Sequence, residues 1–298
     1  MRSTVDEGDV AAVWDIARPS RPSRVAGVRM AGFSGRSGGP IDEWVVPHPA
    51  FTVALQFGDG SLVVDNAAGW QRRGSLVAGL GPGAIRLRGN NIQCVEVRVS
   101  PVVAHAVLGV SPAELDCSVV VVDELWGPDA ERIRQQLRDA PSWGDRFALT
   151  DALFARRHET GPAVDPEVAW AWDRIIVSRG RVRVEDLAVE VGWSRKRLWS
   201  RFRSQLGVPP KRAAKLVRFD HAALRLAAGD SAARAAAEGG YVDQSHFHRD
   251  VLAFTGMTPA RLAGAAGLAE HDIAWAVTER LYKTDARGAR DDGVMRSH

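Results

Sequence analysis

The chain has 298 residues, 45% of them apolar and 25% charged, which is long enough for two domains and apolar enough for packed cores. Its two cysteines, Cys94 and Cys117, match neither metal-ligand spacing nor a disulfide framework, so a disulfide scaffold is excluded and a reducing compartment is expected. The net charge is only +3, the first nine residues lack the apolar stretch of a leader, and no run approaches the ~18 apolar residues of a membrane span, so the expectation is a cytoplasmic protein with no membrane partner.

Residues 1–24 read as a flexible N-terminus. From residue 25 to about 123 the pattern is mostly short strands: Val25–Phe33, Phe51–Phe57, Ser61–Val64, Ser75–Ala78, Ala84–Leu87, Ile92–Val99 and Ser118–Val122. Alternation of period two is clearest in Phe51/Val53/Leu55/Phe57 and Val95/Val97/Val99, and turns such as Gly58-Asp59-Gly60 separate the runs. Short strands at this spacing predict a small β-sandwich or barrel. Two helices follow at about Asp129–Asp139 and Trp143–His158, with Ile133, Leu137, Phe147, Leu153 and Phe154 as apolar residues, completing a β-rich domain over 25–160.

No phosphate loop, nucleophile elbow or paired-carboxylate motif occurs in the chain, so no catalytic residue is assigned and an enzyme is not expected. His48 and His105 lack a His-x-His arrangement, and they suit surface or packing roles better than a metal site; no metal or other cofactor is assigned. Trp44, His48 and Trp70 near the expected barrel mouth are candidate pocket residues, although both tryptophans fit a core role as well.

Gly161-Pro162-Ala163-Val164-Asp165-Pro166 is a natural linker over 161–166. Beyond it lies a degenerate repeat. Gly192-Trp193 … Leu198 … Phe202 … Gly207-Val208-Pro209-Pro210-Lys211-Arg212 recurs as Gly240-Tyr241 … Phe247 … Val251 … Gly256-Met257-Thr258-Pro259-Ala260-Arg261. Leu198→Phe247, Phe202→Val251 and Gly207→Gly256 share an offset of 49, whereas the Gly-aromatic pairs share 48, so the second turn holds one extra residue. A short helical run precedes each turn, Val184–Val191 and Ser231–Glu238, so each copy reads helix, turn, helix. Ser194 and Asp243 are placed to cap the second helix of each copy, where amides lack partners.

With Leu198, Phe202 and Leu206 inward, the first copy turns Arg195, Lys196, Arg197, Trp199, Ser200, Arg201 and Arg203 outward. On a lone helix such a run reads as a solvated face; two helix-turn-helix copies in series favour a nucleic-acid contact instead. Between the copies, Pro210–Ala228 reads as one helix of about 28 Å, close to the ~34 Å of one DNA turn. Residues 165–265 hold 17 Lys and Arg against 11 Asp and Glu, so the repeat carries the basic charge that phosphate binding requires.

From about residue 166 to 264 this pattern resembles the C-terminal DNA-binding domain of the AraC/XylS family of transcription regulators. The residues carrying the likeness are Leu187-Ala188, Gly192-Trp193-Ser194, Leu198, Arg201-Phe202-Arg203, Gly207-Val208-Pro209-Pro210, Arg218, Ala222, Leu226, Ala235, Gly240-Tyr241, Ser245-His246-Phe247 and Gly256–Leu262. The resemblance implies that the second helix of each copy enters the major groove. Carried over by position, the DNA-contacting residues are Arg195, Lys196, Trp199, Ser200 and Arg203 in the first copy and Gln244, Ser245, His248 and Arg249 in the second. Arg and Lys suit guanine, Gln suits adenine, and Ser adapts to either; Trp199 has a thymine methyl, a sugar or partial burial open to it. The chain departs from the family in its Ala-rich opening of the second copy and in Val251, where Phe is usual, so a smaller second core and a weaker second contact are expected.

Val97-Arg98-Val99-Ser100-Pro101, the short helix Ala104–Leu108 and the turn Asp123-Glu124-Leu125-Trp126-Gly127 resemble the cupin-like sensor domains of a poorly characterised subgroup of the same family. The fold class expected is therefore α+β with two domains: a small cupin-like β-barrel or sandwich with flanking helices, then an all-α domain of two helix-turn-helix units joined by a linker helix over 167–264. A tail follows at 265–298, with a helix at 270–282. The implied function is a sequence-specific regulator, an activator as most of the family are, with double-stranded promoter DNA and RNA polymerase as partners and a small-molecule effector and a homodimer as candidates. Two alternatives stay open: an N-terminal domain that is only a dimerisation or partner platform, and, remotely, a DNA alkyl-transfer repair protein, for which neither cysteine has an activating context.

Overall fold

The structure, a computed structural model, describes residues 14–35, 40–66, 69–81, 83–115 and 118–264. The expected helix at 270–282, the tail, Cys117 and the first thirteen residues of the expected flexible N-terminus lie outside the described residues.

Among the described residues the N-terminal half holds ten strands: β1 Trp14–Ala17, β2 Val28–Gly35, β3 Ile41–Val45, β4 Phe51–Gln56, β5 Ser61–Asn66, β6 Gln71–Arg73, β7 Leu76–Ala78, β8 Ile85–Asn90, β9 Gln93–Val99 and β10 Val119–Val121. They form two sheets, ordered β1-β2-β9-β4-β7-β10 and β3-β8-β5-β6, in which every pairing is antiparallel. Strand β9 is central, pairing Val99 with Val28 on one side and with Phe51 on the other. Its alternation divides the interior. Val95, Val97 and Val99 join Phe51, Val53 and Leu55 in the core shared with the helices, while Cys94 joins Phe33, Leu62, Val64 and Ile85 in a second core with residues of both sheets.

The helices that flank the sheets are α1 Pro101–Leu108, α2 Val122–Trp126, α3 Pro128–Asp139 and α4 Trp143–Thr160. The C-terminal half is helical: α5 Pro166–Val177, α6 Val184–Glu190, α7 Arg195–Leu206, α8 Pro210–Ala227, α9 Ala232–Glu238, α10 Gln244–Thr255 and α11 Pro259–Ala263. A β-sheet domain of two sheets followed by an all-α domain is thus the architecture, as the sequence pattern implied.

Three departures have local causes. Part of the stretch expected to be a flexible N-terminus is strand β1, because Trp14 is buried edge-on against Phe33 with ring centroids 5.7 Å apart and its indole donates 3.0 Å to Glu43. Strands β3 and β6 lack clean alternation; Ile41–Val45 and Gln71–Arg73 are ordered by their partners β8 and β5 rather than by their own pattern. The expected turn at Asp123–Gly127 is largely the short helix α2, anchored by buried Trp126, whose indole donates 3.1 Å to the Leu108 carbonyl.

The two halves share one core. A single buried cluster runs from Val28, Phe51 and Val97 in the sheet through Leu108, Leu137 and Phe154 to Trp172, Phe202, Phe219 and Leu262. Polar contacts span the same boundary: the Ser111 hydroxyl donates 3.2 Å to the Ser204 carbonyl, Arg212 donates 3.4 Å to the Gly81 carbonyl, and the Arg261 guanidinium lies 5.9 Å from the Trp44 ring centroid. Among the described residues no helix is long and apolar enough to cross a membrane.

Candidate nucleic-acid interface

Each copy of the repeat folds by the same local rules. In the first, Leu187, Ala188, Leu198, Phe202 and Leu206 are buried, and Gly192 takes the left-handed conformation (φ 68°) that turns α6 into α7. Ser194 caps α7, its hydroxyl accepting 3.2 Å from the Arg197 amide. In the second, Gly240 (φ 76°) makes the turn and the Asp243 carboxylate accepts 2.6 Å from the His246 amide. Ala235, Ala236, Phe247, Val251 and Phe254 are buried in this second copy, with the Phe254 ring tilted against Phe219 of α8 at 5.0 Å and Tyr241 5.2 Å from Phe247.

All nine residues singled out as DNA contacts are exposed. Arg195, Lys196, Trp199, Ser200 and Arg203 lie on α7; Gln244, Ser245, His248 and Arg249 lie on α10. Trp199 is 46% exposed, and the Arg203 guanidinium stands 5.4 Å from its ring centroid. Arg195 sits 3.6 Å from Glu185 at a largely exposed site. The Glu185 carboxyl is held below the usual range by its own backbone amide and, less, by Arg195 and Arg183. On α10, Gln244 and His248 are 3.4 Å apart and Arg249 donates 3.4 Å to the Ser245 carbonyl. These side chains present donors and acceptors to solvent on two capped helices, which is the chemistry of base-edge and phosphate contact.

Two further cations of the expected outward face are also engaged within the chain. Arg197 lies 4.3 Å above the Trp193 ring, and Arg201 makes a bidentate pair with Asp165, 2.7 and 2.8 Å, at the start of α5. The pair holds the Asp165 carboxyl below the usual carboxylate range. Sequence reasoning also passed over Asp250, which is buried on α10 beside Lys215 and Arg218 of α8. Its signal was present: Phe247, Asp250, Val251 and Phe254 share one helical face, so an acid sat among core positions.

Between the sheets of the N-terminal half is a cavity of about 70 Å³, lined mainly by Val, Ala, Leu and Ile side chains with His48, Thr52 and Glu96 as polar members. His48, donor or acceptor by tautomer, lies 2.8 Å from the Thr52 hydroxyl. Of the three candidate pocket residues only His48 lines this cavity. Trp44 sits instead near Arg261, and Trp70 packs against the second core. His105 lies on α1, where its carbonyl accepts from the Gly109 amide. Cys94 is buried between the sheets, and burial followed by the nearby Glu96 charge raises its thiol pKa far above the ordinary value, which opposes a nucleophilic role for Cys94.

A family model described as a helix-turn-helix domain matches residues 187–264. No curated protein matches the chain at a significant level. Among solved structures the chain is similar to ToxT from Vibrio cholerae, with a TM-score of 0.45 and 11% identity over 80% of this chain and 98% of that one. It is similar to the C-terminal domain of AraT, a response regulator from Geobacillus stearothermophilus, with a TM-score of 0.32 and 21% identity over 34% of this chain and 85% of that one. The AraC-like transcriptional activator CuxR gives a TM-score of 0.24 and 14% identity over 67% and 83%. With two capped helix-turn-helix units in series and the family match lying across both, residues 187–264 of this chain form a helix-turn-helix domain.

Proposed function

We propose that the chain is an effector-responsive transcription activator in which α7 and α10 read two successive major grooves on one face of the duplex. The observation that carries this reading is the pair of exposed, capped helices joined through α8, whose 18 residues span about 27 Å against the ~34 Å of one DNA turn. Arg195, Lys196, Trp199, Ser200 and Arg203 serve the first groove, and Gln244, Ser245, His248 and Arg249 the second. RNA polymerase is the proposed partner on the promoter. The domain division follows the same reading: residues 25–160, together with strand β1, sense or dimerise, 161–166 link, and 167–264 bind DNA.

The cavity between the sheets, with His48, Thr52 and Glu96 among its lining residues, is the observation that supports an effector. Selection of bound duplexes from a random-sequence DNA pool, followed by footprinting, tests the DNA reading. The expected result is two protected segments about 10 base pairs apart, centre to centre. Enrichment of no sequence, or a single protected segment, would overturn it.

A further inference from the structure

The repeat extends beyond the two helix-turn-helix pairs. Gly180, after α5, and Gly229, after α8, are separated by the same offset of 49 that relates α7 to α10, and both are left-handed, with φ of 71° and 91°. Each unit is therefore a leading helix followed by a helix-turn-helix: α5-α6-α7 and then α8-α9-α10. Aromatic packing ties leading helix to reading helix in both, Trp172 to Phe202 at 6.4 Å and Phe219 to Phe254 at 5.0 Å.

Under that alignment Arg201 of α7 and Asp250 of α10 occupy the same position, and each is bound to the start of its own leading helix. Arg201 grips Asp165, the residue that opens α5, at 2.7 Å; Asp250 is gripped by Lys215, in the second turn of α8, at 3.2 Å. Arg218, one turn further along α8, adds a contact at 3.7 Å and places its guanidinium 4.8 Å from the Tyr241 ring centroid. The polarity is reversed between the copies, and so is the setting. The Arg201–Asp165 side chains are 49% and 26% exposed, whereas Asp250 is 5% exposed.

We propose that these two ion pairs are equivalent positioning clamps, one per unit, that fix the angle of each DNA-reading helix on its leading helix, with Asp250 as the positioning residue of the second reader. The inference rests on α7 and α10 being the reading helices. A buried carboxylate requires compensation, and removing it strands the cations that face it, so the second clamp acts through a strong local constraint. The exposed first clamp is screened by salt. Reversal also suits the ligand. Asp250 is the only acid on α10, and burial against two cations keeps it from a polyanion, while the first unit keeps its cation on the outer side of α7.

The test compares Asp250→Asn and Asp165→Asn with the wild-type full chain. Two readouts are used: backbone hydrogen exchange without DNA, and footprinting on duplexes that the wild type selects from a random pool. Asp250→Asn is expected to speed exchange in α10 about tenfold while α7 is unchanged, and to weaken protection of the second half-site alone by a similar factor. Asp165→Asn is expected to affect α7 and the first half-site alone, with a loss that shrinks at high salt. Unchanged α10 exchange and an unchanged second half-site in folded Asp250→Asn would overturn the proposal, as would equal loss at both half-sites. Should Asp250→Asn not fold, Lys215→Gln at a 42% exposed position reads the same effect, and its failure to disturb α10 is equally decisive. Failure of the wild type to select any DNA refutes the DNA reading, while the exchange experiment still judges the clamps.

Discussion

Gly207 closes helix α7 against Pro112: a β-carbon on Gly207 would stand 2.6 Å from the Pro112 carbonyl oxygen. Gly207 is thus required twice, by its left-handed conformation (φ 84°) and by the approach of the N-terminal domain, whereas the equivalent Gly256 (φ 68°) has nothing within 4 Å. Gly256→Ala is expected to cost about 1–2 kcal/mol, the penalty of the left-handed conformation. Gly207→Ala should cost more, and chemical denaturation of the two variants checks the difference. Equal losses would show that the contact with Pro112 carries no weight.

Truncating a base contact should be felt in binding and not in folding. Lys196→Ala and Arg249→Ala lie at exposed positions, and each is expected to lower affinity for a selected duplex by ~1–3 kcal/mol with thermal stability unchanged. Titration at fixed salt measures it. Binding equal to wild type removes that residue from the interface.

The ion pair between α7 and the start of α5 has a defined pH signature. Hydrogen bonding from Arg201 lowers the Asp165 pKa from its ordinary 3.8. The stability it contributes is therefore complete above 3.8, the unfolded-state value, and is lost as pH falls through the lower folded-state value. Asp165→Asn should flatten the stability profile in that acid window and leave the neutral slope alone. A carbon-13 carboxyl titration of wild type checks the direction, and a midpoint at or above 3.8 contradicts it.

Residues 161–264 alone are expected to fold and bind DNA, yet with a lower melting temperature than the full chain. The fragment keeps Trp172, Phe202, Phe219 and Phe254 packed together, but loses the covering of α7 by Pro112 and of α8 by Gly81. Circular dichroism and a mobility shift test both halves of this statement. An unfolded fragment would refute the domain boundary.

The helical half was legible because its signals are local. Ser194, Asp243 and the glycines at 192, 207, 240 and 256 mark boundaries through caps and left-handed turns that act over three or four residues. The β half was legible where strands are buried on one face, as at Phe51–Gln56, and illegible where order comes from partners distant in sequence, as for β1, held by Phe33 and Glu43. The site followed the same division. Exposed side chains on α7 and α10 could be assigned from helical phase. The commitment of Arg201 to Asp165 and of Asp250 to Lys215 could not, because the partners lie 36 and 35 residues away.

The shared core has a thermodynamic consequence for a protein with a proposed ligand in each half. Because one apolar cluster runs from Val97 in the sheet to Leu262 in α11, neither half can melt without exposing surface on the other. Heat should then unfold the chain in a single calorimetric transition. A molecule bound in either half raises the melting point of both, and the two occupancies are linked through folding itself even where no contact changes shape.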